Sequence, residues 1–509
     1  MRLRFASSFL AAVLISIAPC RAAMSAVEVQ KVIGQAASVA GMLSPGSVIA
    51  VTDREGFVLG VWSILPNPSS DTVANAIAKA GTAAYLSSDQ HAFTTRTAGF
   101  IVQQNFPPGV RNRPPRPLVG VNFSNLRFSD VNRFKRPPFF VQTNGVATGS
   151  PAPLPVTGGL AGTPGGVPLY RAGRLIGGVG VAGDGDTAVN VQVQQRFDID
   201  EAVALAGQFG FEPHRLILGM RIFIDGIRLP YVETSIPWYL VNPSMVFGGV
   251  VPGYPIQSSP PAHYPAAVLG NVTGEIRQPI IADPIGGLIN GQARLSSAEV
   301  RGILTRGAIR GISTRAGIRA GSERSARVFI TVVNNPGPGG GAPRVLGTFR
   351  MADATLFSWD VAVQKARTAL YFSSEKYAFS TRTVGFLSQS RYPPGIEGTA
   401  PGLFLGLQER FSMFAAPRNP LNGALAPQPP VFEPRMPNGM TIFPGGFPLY
   451  RNGVLIGAVG VSGDGVDQDD LIAVAASEGF FAPESIRADR YQIRNARLPF
   501  AKFPRNPSL

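Results

Sequence analysis

The 509-residue chain holds a single cysteine, Cys20, and it lies in an N-terminal apolar segment. A chain processed after that segment keeps none. Disulfides, thiolate nucleophiles and cysteine-based zinc or iron–sulfur sites are thereby excluded. Histidine is nearly as scarce: His91, His214 and His263 are the only three, and none shows the H-x-x-x-H spacing of a helical metal site. Beyond the N-terminus no apolar run approaches 18 residues, so no membrane span is expected. Hydrolase signatures are missing too, with no G-x-S-x-G elbow and no matched pair of carboxylates with a supporting base.

Hydrophobic residues make up 45% of the chain, enough to build real cores. Gly (59) and Pro (46) together are about a fifth of it, which points to long loops. The first 26 residues read as a secretory signal. Arg2 and Arg4 precede the apolar run Phe5–Ala18, and small residues near Ala22 to Ala26 offer a cleavage site. A periplasmic or secreted location is the expectation. Formal charge is +15; without Arg2, Arg4 and Arg21 it is +12. An exported protein rarely meets nucleic acid. The excess suits a surface facing lipid phosphates or acidic glycans, or one that recruits an anionic ligand.

Two long segments occur twice. GGVPLYRAGRLIGGVGVAGDG (165–185) and GGFPLYRNGVLIGAVGVSGDG (445–465) agree at 16 of 21 positions. Residues 79–109 and 365–395 agree at 18 of 31. The spacing between matched segments falls from 286 to 269 residues along the chain, so the second copy has shorter loops. At this period the repeating units are whole domains. The expected layout is a domain over 27–232 with a Pro-rich insertion at 107–164, a Pro/Gly-rich linker over 233–290, and a domain over 291–502 with an insertion at 393–444. Pseudo-two-fold packing of the copies is expected.

Each copy reads alike. Helices over Ala26–Met42 and Ser296–Arg310 open on cap-competent serines, Ser25 and Ser296. Two strands follow, then an Ala-rich helix (Asp71–Leu86, Ser358–Phe372) whose Ala74, Ala78, Ala83 and Ala362, Ala366, Ala369 suit close packing on a sheet. Next comes a Thr-Arg-Thr-x-Gly-Phe segment. A hairpin follows, turning at Ala172-Gly173 or Asn452-Gly453. A last helix (Asp200–Gln208, Asp469–Ser477) and a closing strand (Met220–Tyr231, Arg490–Phe500) complete the copy. Antiparallel hairpins with segregated helices indicate α+β, each domain an antiparallel sheet flanked by helices.

Residues 178–183 match the spacing G-x-G-x-x-G, but they fall within the second strand of a hairpin and not in a strand-to-helix turn, so a dinucleotide site is rejected. Glycines in a strand mark close backbone approach, of the first helix or of a flat ligand. Gly180 and Gly460 are the retained pair. Asp184 and Asp464, each in Gly-Asp-Gly, are retained and read as caps or binding groups. Arg96 and Arg382 either clamp a ligand carboxylate or pair with the fold's own acids. Tyr85 and Tyr371 read as core aromatics or a stacking face. His91 is replaced by Tyr377; both types can ligate haem iron, and both also suit a tolerant surface position.

The segments KARTALYFSS (365–374) and PLYRNGVLIGAVGVSGDGVDQDD (448–470) resemble the GlcG/HbpS-like haem-binding family. Copy one departs from that pattern, with Gly81 for the arginine of Lys-Ala-Arg-Thr-Ala and Ala182 for the serine. The resemblance implies two tandem profilin-like domains that oligomerise and take haem or a related tetrapyrrole, with the second copy binding more tightly. On it, Arg96, Tyr85 and Gly180 in one copy, and Arg382, Tyr371 and Gly460 in the other, are expected to border one pocket each. The remaining readings are a structural protein that binds a partner, or itself, through the Pro-rich loops, and an accessory to an oxidoreductase.

Overall fold

The computed structural model describes residues 23–101, 160–185, 196–224, 226–236, 240–242, 247–261, 264–410 and 433–502. The leader before residue 23, nearly all of the first insertion, the centre of the second and His263 lie outside them.

Copy one begins with helix α1 (Ala26–Leu43), closed at its start by a reciprocal pair in which Ser25 accepts from the Glu28 amide and Glu28 accepts from the Ser25 amide. Strands β1 (Val48–Asp53) and β2 (Val58–Ser63) form a hairpin. Helices α2 (Ser70–Tyr85) and α3 (Thr95–Ile101) follow. Strands β3 (Gly166–Arg171) and β4 (Arg174–Ala182) then turn through Ala172 and Gly173, both at positive φ (49° and 75°), the backbone that a two-residue hairpin demands. Helix α4 (Ile199–Gln208) completes the copy.

Residues 233–290 do more than connect. They supply β5 (Gly249–Val250) to the edge of the first sheet, and β6 (Ala266–Leu269) and β7 (Val272–Gln278) to the second. Copy two then runs α5 (Ser297–Ser313), β8 (Phe329–Asn334), β9 (Val345–Met351), α6 (Ser358–Tyr371), α7 (Thr381–Leu387), β10 (Gly446–Arg451), β11 (Val454–Ser462) and α8 (Val466–Ala476). The sheets are ordered β3-β4-β1-β2-β5 and β10-β11-β8-β9-β7-β6, and all the pairings are antiparallel. This is the α+β architecture expected, twice over. The expected closing strands are instead a single 3-10 turn and a two-residue hairpin in each copy (Phe223–Ile224 with Ile227–Arg228; Gln492–Ile493 with Ala496–Arg497). Tight turns interrupt them, with Gly226, Arg494 and Asn495 at positive φ.

Strand parity sorts the core. In β1, Ile49 and Val51 face α1 and α4, while Val48 and Ala50 face α2. Across the ladder Ala50 pairs with Gly180 and Thr52 with Gly178, so the α2 side of β4 carries no side chain at two alternate positions. The helix occupies that space. A Cβ at Gly180 would stand 2.2 Å from the Ala80 nitrogen, and one at Gly460 would stand 2.0 Å from the Ala362 oxygen. The helix positions that touch the glycines are Ala76, Ala80 and Ala84 in copy one and Ala362 and Ala366 in copy two. Ala74, assigned to this face from the sequence, is exposed, because the contact stripe runs two residues on.

The copies meet by unlike ends. The Tyr85 carbonyl at the end of α2 accepts from the Phe357 amide just before α6 (3.4 Å). Arg54, in the first copy's β1–β2 turn, pairs with Asp353 beyond β9, and Glu55 receives Arg277 and Arg350 at 2.6 and 2.8 Å. Among the described residues the Tyr85 contact has no reciprocal: Tyr371, its counterpart, binds Glu433 within its own copy. The expected pseudo-two-fold is therefore replaced by a head-to-tail junction, in which each copy contributes a different surface.

Two expectations follow. Gly460→Ala should cost about 3 kcal/mol of stability or more, because the new methyl group meets helix backbone that cannot swing aside, and denaturant unfolding reads it directly. Asp353 is held well below the usual carboxylate range: burial opposes its charge, but Arg54 and Arg319 outweigh it. Its contribution is present above the unfolded pKa near 4 and is lost as pH falls below that. Asp353→Asn should cost about 3 kcal/mol at pH 7 and flatten the acid limb of a stability-versus-pH curve.

Candidate functional site

The ten residues singled out in the sequence do not converge. Arg96 is wholly buried and clamps Glu201 through two bonds of 2.8 and 2.9 Å, with the Arg196 carbonyl at 3.0 Å. Arg382 does the same work in copy two, binding Asp470 and Asp467 at 2.8 Å each. Both arginines tie the short Thr-Arg-Thr helix to the last helix. Gly180 and Gly460 are filled by helix backbone, which leaves no floor for a ligand there. Tyr85 is buried, and its hydroxyl, which has no partner, rests against Gly56; burial raises its pKa far above the usual phenol value. Tyr371 donates to Glu433 (3.2 Å), with the Arg435 guanidinium 4.3 Å over its ring.

His91 has both ring nitrogens engaged, Nδ1 with the Ser88 hydroxyl (2.8 Å) and Nε2 with the Leu86 carbonyl (3.0 Å). Burial, with Arg319 nearby, pushes its pKa down to about 3, so it is a neutral core residue. Tyr377 is nearly half exposed and packs on Phe379. Neither is poised to ligate iron. Asp184 accepts from Ser44 Oγ (2.7 Å) and the Gly46 amide (2.9 Å), closing the turn after α1. Asp464 is fully buried, bound by Arg319 and the Arg327 amide (2.7 Å), and its Oδ1 has no partner. Among the described residues no group of three or more His, Cys, Asp or Glu could hold a metal ion, and no helix is long and apolar enough to cross a membrane.

A cavity of about 420 Å³ lies elsewhere, at the junction of the two copies. Copy one supplies Leu86, Phe93, Ile101, Phe223 and Ile224; copy two supplies Phe357, Val361 and Phe443. Its polar end is the loop from Ser462 into α8, with Lys365, Asp467 and Asp469 beside it, Asp469 paired with Lys365 and Asp467 with Arg382. Helix α8 starts at Gly465 (φ 148°), where no side chain caps the first turn. Its counterpart α4 is capped by Asp198, which accepts from the Glu201 amide at 3.1 Å. Uncapped first-turn amides and the helix dipole favour an anion. Lys365 donates to Asp469 (2.7 Å) and to the Val461 carbonyl (2.8 Å). Burial lowers the Lys365 pKa despite Asp469, and burial raises that of Asp469 to about 6 despite Lys365.

None of the ten residues singled out in the sequence lines this cavity. The buried pair Lys365–Asp469 has its counterpart in Lys79–Asp200 (2.8 Å), and the lysine, retained in both Ala-rich helices, was the available signal. A second cavity of about 580 Å³ at the junction is polar, lined by Asp89, Arg174, Glu323, Arg327 and Asp353 among others; Arg174 pairs with Asp89 and Arg327 with Glu323, while Asp353 is held by Arg54 and Arg319 from outside the lining.

No curated protein matches the chain. Among solved structures, a haem complex of PduOC aligns at 23% identity over 36% of this chain and 94% of its own, with a TM-score of 0.24. The Klebsiella pneumoniae protein ORFY aligns at 17% identity over 37% and 89%, with a TM-score of 0.22. A family model described as "Haem degrading protein HbpS-like" matches residues 24–195 and 314–478, one region for each sheet-and-helix unit. With both repeats matched and well over half its length covered, the chain belongs to the HbpS-like family.

Proposed function

We propose that this protein binds haem or a related flat, anionic tetrapyrrole in the junction cavity. The observation that carries the reading is the joining of apolar walls to an anion-ready end. Phe357, Phe443, Phe93 and Val361 can flank a planar macrocycle, while the first-turn amides of α8, which no side chain caps, can answer a carboxylate, the adjoining Asp467 and Asp469 being paired with Arg382 and Lys365. The volume lies within the range of small-molecule sites. Family membership supports the same ligand class.

The described lining fits the macrocycle and its carboxylates better than it fits the iron. It contains no His, Met, Tyr or Cys, the usual axial ligands. Bound iron would supply redox chemistry; the residues present supply shape, water exclusion and charge. Hemin and metal-free protoporphyrin should therefore bind with affinities within about tenfold of each other. Gln468 lines the cavity in the first turn of α8. Gln468→Glu adds a negative charge there and should weaken either ligand about two- to fivefold at low salt. Absorbance titration reads both. No Soret change with hemin would end the reading.

Export belongs to the same proposal, supported by Arg2, Arg4 and the apolar run Phe5–Ala18. N-terminal sequencing of protein from the native host should begin near Ala22 to Ala26; an intact Met1 on the soluble protein would overturn it.

A further inference from the structure

We infer that the chain has one composite ligand site, half built by each repeat, and not one site per repeat. This deepens the cavity reading above and rests on it. Three differences between the copies carry the inference.

The first concerns the apolar wall. Leu86, Phe93 and Ile101 of copy one face the cavity. Their repeat counterparts Phe372, Phe379 and Leu387 face protein. Phe372 packs on Phe404 of the second copy's own insertion, with ring centroids 5.0 Å apart, and Met436 and Met440 join that cluster. Leu387 is buried with Tyr392 and Leu498. The second wall is stoppered from within its own copy.

The second difference is a strap, residues 314–328, between α5 and β8. It lays Gly317 and Ile318 along the cavity. The Gly317 amide donates to the Asp464 carbonyl (2.7 Å), and the Ala320 amide donates across the junction to the Gln90 carbonyl of copy one (3.0 Å). Arg319 grips Asp464 and Asp353 together. Copy one has only four residues between α1 and β1, and Asp184 closes that turn directly. The third difference is the cap: Asp198 occupies the start of α4, whereas α8 begins uncapped. Among the described residues, a flat anionic ligand thus finds its two walls and an uncapped helix start together where the head of copy one meets the tail of copy two.

The test is binding stoichiometry on the full mature chain with two half-buried wall residues changed, Ile224→Glu from copy one and Ile318→Glu from copy two. Circular dichroism and thermal melts check the folds. Hemin is the first probe and anilinonaphthalene sulfonate, a flat anionic fluorophore unrelated to haem, the second. One equivalent per chain is expected, with each substitution weakening binding at least tenfold. Two equivalents per chain, or loss with one substitution alone, would overturn the composite site. If the fluorophore behaves as expected and hemin does not bind, the composite site stands and the haem reading falls. If neither probe binds, both fall.

Discussion

Everything in each domain is arranged around the close seating of one Ala-rich helix on one glycine-bearing strand. The approach is backbone to backbone. Ala80 and Ala362 stand where the Cβ atoms of Gly180 and Gly460 would be. Such contact leaves no tolerance for a larger residue on either partner, so it sets the height of the helix above the sheet. The buried lysine on that helix can then reach the last helix, Lys79 to Asp200 and Lys365 to Asp469. The Thr-Arg-Thr arginines anchor the same last helix from the other side. Two cationic struts and one steric contact thus hold the last helix against the strand before it. In copy two that arrangement presents the uncapped turn of α8 to the cavity.

The junction between copies is chemically unlike the domains it joins. Its centre is apolar, since one hydrophobic cluster runs from Val73 and Ile77 of copy one to Phe329 and Trp359 of copy two. Its rim is a chain of alternating charges, from Asp89 through Arg54, Asp353 and Arg319 to Asp464. Each of the three interior members, Arg54, Asp353 and Arg319, bridges two neighbours, so removing it exposes both. Such networks cost desolvation and return geometric definition. Here the defined geometry is the width of the cavity, because the Asp353–Arg319–Asp464 link holds the strap against the loop that leads into α8.

Much of the architecture was legible in the sequence because the physics that sets it is local. Ser25 and Ser296 capped the helices they were assigned to, and the Ala172-Gly173 and Asn452-Gly453 turns made the expected hairpins. The glycine pattern was read correctly as close approach, but the approaching element is the Ala-rich helix, neither the first helix nor a ligand. The cavity was illegible because it belongs to neither repeat. Leu86, Phe93 and Ile101 look like ordinary core residues until another domain stands opposite them. Comparing the two copies also favoured residues retained in both, and those proved to be the fold's own fastenings. The cavity depends on what differs, namely the strap and the missing cap.

The segment between the copies has a consequence for how the molecule assembles. Strand β5 belongs to the first sheet and β7 to the second, and the stretch between them is pinned as well. Tyr254 and Leu59 carbonyls accept from Val61 and Gln257, and Ser258 and Ser259 hold the amides of Ala26 and Met24. Each sheet is completed by residues outside its own repeat, so a fragment cut at the repeat boundaries, 232 or 291, lacks an edge strand.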